Sequence, residues 1–161
     1  MQRSREGEVE RLLSDPSSFF GVPSGGVLEL TSVGREDFYE AARCYAVGLT
    51  IASIMFMLRG TEDVVRSYYS RVTELPAKGT WGQLLGTLNK PKRECPTQLI
   101  FLLSDLKDKR NAAMHPHERV PSQWDEGTAK QVLKDCQQAV TIMVQDLEKR
   151  LTVTLTNQSM T

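Results

Sequence analysis

The feature that most restricts how this chain can fold is the stretch from Glu36 to Arg59, where Phe38, Ala42, Tyr45, Ala46, Leu49, Ala52, Ser53, Phe56 and Met57 recur at steps of three and four. Such spacing gathers them on one face of an α-helix. Because Ala41 to Leu58 carries no charge except Arg43, the predicted helix must be wrapped by other protein on most sides. A membrane span is the rival reading. Arg43, Gly48, Thr50 and Ser53 interrupt the run, and its uninterrupted apolar part falls short of the ~20 residues a bilayer requires. The stretch is therefore expected to be the central helix of a bundle, with Met55 and Met57 as gap-fillers rather than cofactor ligands.

The elements on either side follow from local signals. Glu6 to Ser14 predicts a short amphipathic helix through Val9, Leu12 and Leu13, and the Ser-, Pro- and Gly-dense Asp15 to Gly34 an ordered loop with one short extended piece at Gly26 to Leu30. Gly60 is read as the stop of the central helix and Thr61 as the cap of another, Glu62 to Leu75, ended by Pro76. Thr80 should cap a shorter helix carrying Trp81, Leu84, Leu85 and Leu88. Pro96 opens a helix whose apolar face is Leu99 to Leu103 and Leu106, and Glu126 to Leu151 forms the last one. Thr152 to Thr161 is expected to be a polar, frayed tail. These elements predict an all-α fold: a single bundle of four to five helices over 36–151, two long helices antiparallel, a loop-rich extension over 1–35 and a tail over 152–161.

Composition narrows the function classes. One domain is the default for 161 residues, and twenty Lys and Arg against twenty Asp and Glu exclude a wholesale polyanion binder, so any nucleic-acid contact must be local. Cys44, Cys95 and Cys136 are odd in number, widely spaced and without a CxxC. They point to reduced thiols in a cytoplasmic setting, consistent with an opening segment that has no apolar signal region.

Chemistry concentrates in Asp108 to Pro116, which holds Arg110, Asn111 and the first of two histidines, His115. On a continuous helix Asn111 and His115 share a face while Arg110 and His115 point roughly 140° apart. Pro116 changes this, because a residue preceding proline is driven out of the α region. The helix should end near Met114, leaving His115 in the exit turn and free to swing toward Arg110. Ala112 and Ala113 would let a second copy of the chain approach closely.

The run Arg110-Asn111-Ala112-Ala113-Met114-His115 resembles the Arg-polar-x-x-x-His signature of the HEPN superfamily, small helical domains many of which act in bacterial defence and toxin–antitoxin systems. The stretch Phe38 to Tyr45, followed by Leu58-Arg59-Gly60-Thr61-Glu62, is similar to the first long helix and Arg-x-x-Glu turn of HEPN-like families, and the helix order fits over Glu36 to Leu151. The resemblance implies metal-independent RNA cleavage, needing no cofactor, in which the ribose 2′-hydroxyl attacks its own phosphodiester. His115 would be the general acid/base, Arg110 the phosphate-holding cation and Asn111 an orienting amide. Arg59 and Glu62 would brace the site through an ion pair. Lys107 and Lys109, with Lys90, Lys92 and Arg93 nearby, would form the local basic patch for RNA. The implied partners are RNA, a second copy of the chain as a homodimer, and an antitoxin or defence-system protein, with no membrane.

Plainer readings stand beside this one. Arg110 would complement the carboxyl end of its helix in any bundle, and the motif would equally serve a non-catalytic HEPN-like module for dimerisation, RNA binding or protein binding. His115-x-His117-Glu118 is a fragment of a metal site without a further matched ligand, so no metal is expected. Two histidines so close together, with no elbow, oxyanion loop or phosphate-cradling glycine loop, exclude classical hydrolases and nucleoside triphosphatases.

Overall fold

A computed structural model describes residues 2–115 and 124–158 of the chain, and among them every regular element is helical. Helix α1 (Gln2–Ser14) and the single turn α2 (Pro16–Phe19) lead through a loop to α3 (Ser32–Ala46) and α4 (Thr50–Thr73). Then come α5 (Trp81–Leu88), a 3-10 turn at Pro91–Arg93, α6 (Thr97–Met114) and α7 (Glu126–Gln158). None of these helices is long and apolar enough to cross a membrane.

The expected break at Gly60 lies instead at Gly48. Helix α3 ends where Gly48 adopts φ +78°. The Leu49 N–H reaches back to the Cys44 carbonyl (2.8 Å) and the Gly48 N–H to that of Tyr45 (3.2 Å), the paired closure typical of a glycine-terminated helix. Gly60 lies inside α4. A Cβ there would sit 2.7 Å from Cδ1 and Cε1 of the Phe38 ring, so the missing side chain lets α3 close onto α4. Thr61 caps nothing; its buried hydroxyl donates to the Met57 carbonyl at 2.8 Å.

Helices α3 and α4 thus form an antiparallel hairpin, pinned by the Ser53 hydroxyl on the Ala41 carbonyl at 3.0 Å and spanned by the Arg59–Asp37 pair. Helix α6 runs antiparallel to both α4 and α7, as Arg110 with Glu62 and Lys109 with Asp135 show at one end and Arg150 with the Arg93 carbonyl at the other. The long helix expected over Glu36 to Arg59, one of the antiparallel pair, is split between α3 and α4, and the two longest helices formed, α4 and α7, are parallel. Thr61 meets Cys136, and seven residues on Tyr68 donates to Asp146 at 2.6 Å. With α6 between them in sequence and antiparallel to each, no other arrangement is available.

The segment expected to be a loop-rich extension belongs to the same core. Leu12, Phe20, Val22, Leu28 and Leu30 are buried in one cluster with Phe38, Tyr68, Leu103 and Val140. Phe20 stacks on Phe38 with centroids 4.1 Å apart. Gly26 to Leu30 forms no strand. Helix α5 matches its sequence reading, with a reciprocal cap between Thr80 and Gln83 and its four large apolar residues buried. Helix α7 continues through Gln158 rather than fraying after Leu151, and Leu151, Val153 and Leu155 on its last turns are exposed.

Candidate functional site

Helix α6 stops where proline chemistry requires. Met114 is its last residue, and His115 takes extended backbone (φ −109°, ψ 103°) while its N–H donates to the Asn111 carbonyl at 3.0 Å. His115 is exposed and Asn111 half-buried. Arg110 lines a cleft of about 330 Å³ between α3, α4 and the end of α6, together with Thr31, Val33, Gly34, Asp37, Arg59, Glu62, Asp63, Arg66 and Met114. Neither Asn111 nor His115 is part of that lining. Ala113 is already buried by its own chain and Ala112 packs half-buried on the core, so a second copy would not meet Ala113.

Glu62 is the hub of the cleft. Its Oε2 faces Arg110 Nη2 at 3.3 Å and its Oε1 accepts from Arg66 Nη2 at 2.6 Å. The expected ion pair between Arg59 and Glu62 is not formed: Glu62 holds Arg110 and Arg66, and Arg59 pairs with Asp37, Nη2 to Oδ1 at 3.3 Å. Arg66 also donates to the carbonyls of Ala77 and Gly79 at 2.9 and 3.0 Å, which ties the α4–α5 loop to the cleft wall. Asp63 accepts from the Thr31 N–H at 2.8 Å and from its hydroxyl at 3.1 Å, and that hydroxyl caps α3 through the Gly34 N–H.

Among the described residues three carboxylates and three guanidinium groups share this space, and in two of the ion pairs the groups are layered. The side chains of Arg59 and Arg110 keep 44% and 33% of their exposure, whereas those of Asp37 and Glu62 keep 8% and 14%. In those pairs the cation lies toward the mouth and the carboxylate toward the floor, so an incoming ligand meets the donors of Arg59 and Arg110 before Asp37 and Glu62. Burial pushes the Asp37 carboxyl above the usual carboxylate range; Arg59 opposes the shift, and the neighbouring Asp63 and Glu36 add to it.

The four polar residues of α4 in this cleft, Arg59, Glu62, Asp63 and Arg66, stand at steps of three, four and seven, on one face of a continuous helix. A stop at Gly60 splits that set, which is why Asp63 and Arg66 escape the sequence reading. Asp37 and Thr31 carry no local signal; the hairpin brings them in.

The expected basic patch is not assembled. Lys107 pairs with Asp108 at 3.0 Å, and Lys109 is held between Asp105 and Asp135. Burial disfavours the Lys109 charge, but the two carboxylates outweigh it and raise its pKa. Lys90, Lys92 and Arg93 lie at the opposite end of α6, about 27 Å from His115 at 1.5 Å per residue.

A second polar knot sits at that far end. The Tyr68 hydroxyl and Arg150 Nε both donate to Asp146 Oδ2, at 2.6 and 2.7 Å, and Arg150 Nη2 donates to the Arg93 and Glu94 carbonyls. Burial and the bond to Asp146 push the Tyr68 phenol far up. The group fastens α4, α7 and the start of α6, and opens onto no cleft among those described. His117 and Glu118 lie outside the described residues; within these, no three His, Cys, Asp or Glu side chains are placed to hold a metal.

Comparison with protein-family models, with curated proteins and with solved structures finds no match.

Proposed function

We propose that this chain is a HEPN-like, metal-independent endoribonuclease of the bacterial defence or toxin–antitoxin type, acting in the cytoplasm as a homodimer under the control of a protein partner. The observation that carries the reading is the place of its motif: Arg110 leaves the last turn of α6 braced by Glu62, and five residues on the chain abandons the helix at His115, an exposed imidazole on extended backbone. In the proposed reaction a 2′-hydroxyl attacks the adjacent phosphorus. One acid/base group takes its proton, another returns a proton to the departing 5′-oxygen, and a cation offsets charge on the phosphoryl oxygens. His115 supplies the acid/base group, Arg110 the cation and Asn111 the hydrogen bond that orients either the imidazole or the substrate. Two protomers facing one another would supply the second imidazole.

The test is cleavage of structured and single-stranded RNA by the full chain in EDTA, with the mass of the protein in solution measured alongside. Cutting by the parent and none by a folded His115→Ala variant is the expected result. Cutting that persists in that variant, or that never occurs with the parent, overturns the reading.

A non-catalytic binding module is favoured by one specific observation: of the motif residues Arg110, Asn111 and His115, only Arg110 lines the cleft. It predicts RNA or protein binding without cutting.

A further inference from the structure

The three arginines that line the cleft among the described residues differ in what they have left to give. Each guanidinium carries five N–H donors. Arg66 spends its terminal nitrogens on two backbone carbonyls and on Glu62 at 2.6 Å, so it is a structural clamp. Arg59 and Arg110 are loosely held: among the described residues each has one carboxylate contact, at 3.3 Å, and Nε of Arg110 is buried with no acceptor. The Arg59 guanidinium also lies over the Phe56 ring, 5.6 Å from its centroid, a contact that fixes the group without consuming a donor.

Position adds to chemistry. Arg59 stands three residues before Glu62 on α4, and Glu62 faces Arg110 on α6. The two available guanidinium groups therefore enter the same cleft from different helices, at levels within about one helical turn, ~5 Å. Both are the solvent-facing member of their pair, over the buried carboxylates of Asp37 and Glu62. A planar fork on each side of a small opening is a clamp for a tetrahedral, multiply charged oxyanion, and phosphate matches two such forks better than a carboxylate does. The Arg59 side chain keeps 44% of its exposure while touching Asp37 through Nη2 alone, so its remaining N–H donors can turn to a phosphate oxygen without giving up that contact.

We propose that Arg59 is a second phosphate-holding residue, closing with Arg110 on the backbone of a bound RNA strand. The identity of the ligand rests on the ribonuclease reading; the two-arginine clamp rests on the cleft alone. Arg59 thereby becomes a substrate contact rather than the brace its sequence context implies, and the brace is Glu62.

The experiment measures binding of a short fluorescein-labelled single-stranded oligoribonucleotide by anisotropy, over a series of salt concentrations, to the full chain carrying His115→Ala. Adding Arg59→Gln should weaken binding roughly tenfold or more, the loss of one charge-assisted bidentate contact. It should also flatten the slope of log affinity against log salt by about 0.7. Arg59→Lys keeps the charge without the fork and should recover only part of the affinity. Arg43→Gln removes an exposed arginine outside the cleft, paired with Glu40, and should leave both quantities unchanged, while thermal melting confirms that each variant is folded.

Binding that survives Arg59→Gln, that falls equally in Arg43→Gln, or that is absent from the starting protein overturns the clamp. Arg59-dependent binding by a parent that never cuts RNA would leave the clamp standing and remove the ribonuclease reading. Cutting indifferent to Arg59→Gln would do the reverse.

Discussion

Replacing Gly60 with alanine sets two opposing effects against each other at one position. In an open helix interior the change stabilises by about 1 kcal/mol, because glycine is the poorer helix former. Here the new methyl carbon would stand 2.7 Å from two carbons of the Phe38 ring and 3.1 Å from a third, where unstrained carbon contacts lie at about 3.5–4.0 Å. The ring must retreat by about 1 Å, yet it is fully buried and stacked on Phe20. Overpacking of this kind costs about 1–3 kcal/mol, and the blocked ring places it in the upper half of that range. The net expectation is a loss of roughly 1–2 kcal/mol, a fall of roughly 2–8 °C in Tm for a domain of this size.

Gly86 supplies the control. It also lies within a helix, and a Cβ there would meet nothing within 4 Å, so Gly86→Ala should gain about 0.5–1 kcal/mol. Calorimetry or chemical denaturation of the two variants beside the parent reads both signs. Melting of Gly60→Ala at or above the parent, in step with Gly86→Ala, would show that α3 and α4 are not in the close contact described. Because the Asp37–Arg59 pair flanks the Phe38–Gly60 contact, Gly60→Ala should also weaken RNA binding under the proposed function.

Three further outcomes are expected. Glu62→Gln removes the shared partner of Arg66 and Arg110; both arginines are about one-third exposed, so the stability loss is about 1 kcal/mol in urea unfolding, and under the proposed function RNA cleavage should fall at least tenfold. Asp37→Asn should leave Tm at pH 7 unchanged or higher, because burial makes the charged carboxyl the unfavourable form; a folded-state pKa above the unfolded value means this penalty on the parent disappears as pH falls through that raised value, so the advantage of the variant should shrink there. Tyr68→Phe deletes a buried bond to a carboxylate and should cost about 2 kcal/mol by denaturant midpoint. Since the folded phenol stays neutral, the parent should also lose stability above about pH 10, where the unfolded tyrosine ionises, and the variant should lose less.

What was legible in the sequence is what local chemistry decides. Thr80 with Gln83 marks the start of α5, Pro96 that of α6, and Pro116 fixes the exit at His115, each signal lying within four residues of its effect. Gly60-Thr61-Glu62-Asp63 carries equally good stop-and-cap signals, and they mislead. The deciding partner is Phe38, twenty-two positions earlier, whose ring occupies the space a side chain at Gly60 would fill. That one long-range contact makes α4 continuous and puts Arg59, Glu62, Asp63 and Arg66 on a shared face. The motif residues Arg110 and His115 were readable as a pair; that Arg110 alone of the two would line the cleft was not, because it depends on Glu62 reaching Arg110 from another helix. The side-by-side direction of α4 and α7 had no local signature at all.

That parallel pairing governs the order in which the chain can be completed. The bond from Tyr68 to Asp146 spans 78 positions, so the face of α4 that receives α7 has no occupant while the intervening segments emerge from the ribosome. The α3–α4 hairpin can zip early from neighbouring turns, but sealing it waits for the last helix, and the entropy of closing so long a loop falls on that late step. A nascent chain halted before α7 would show the apolar side of α4 to holdase chaperones.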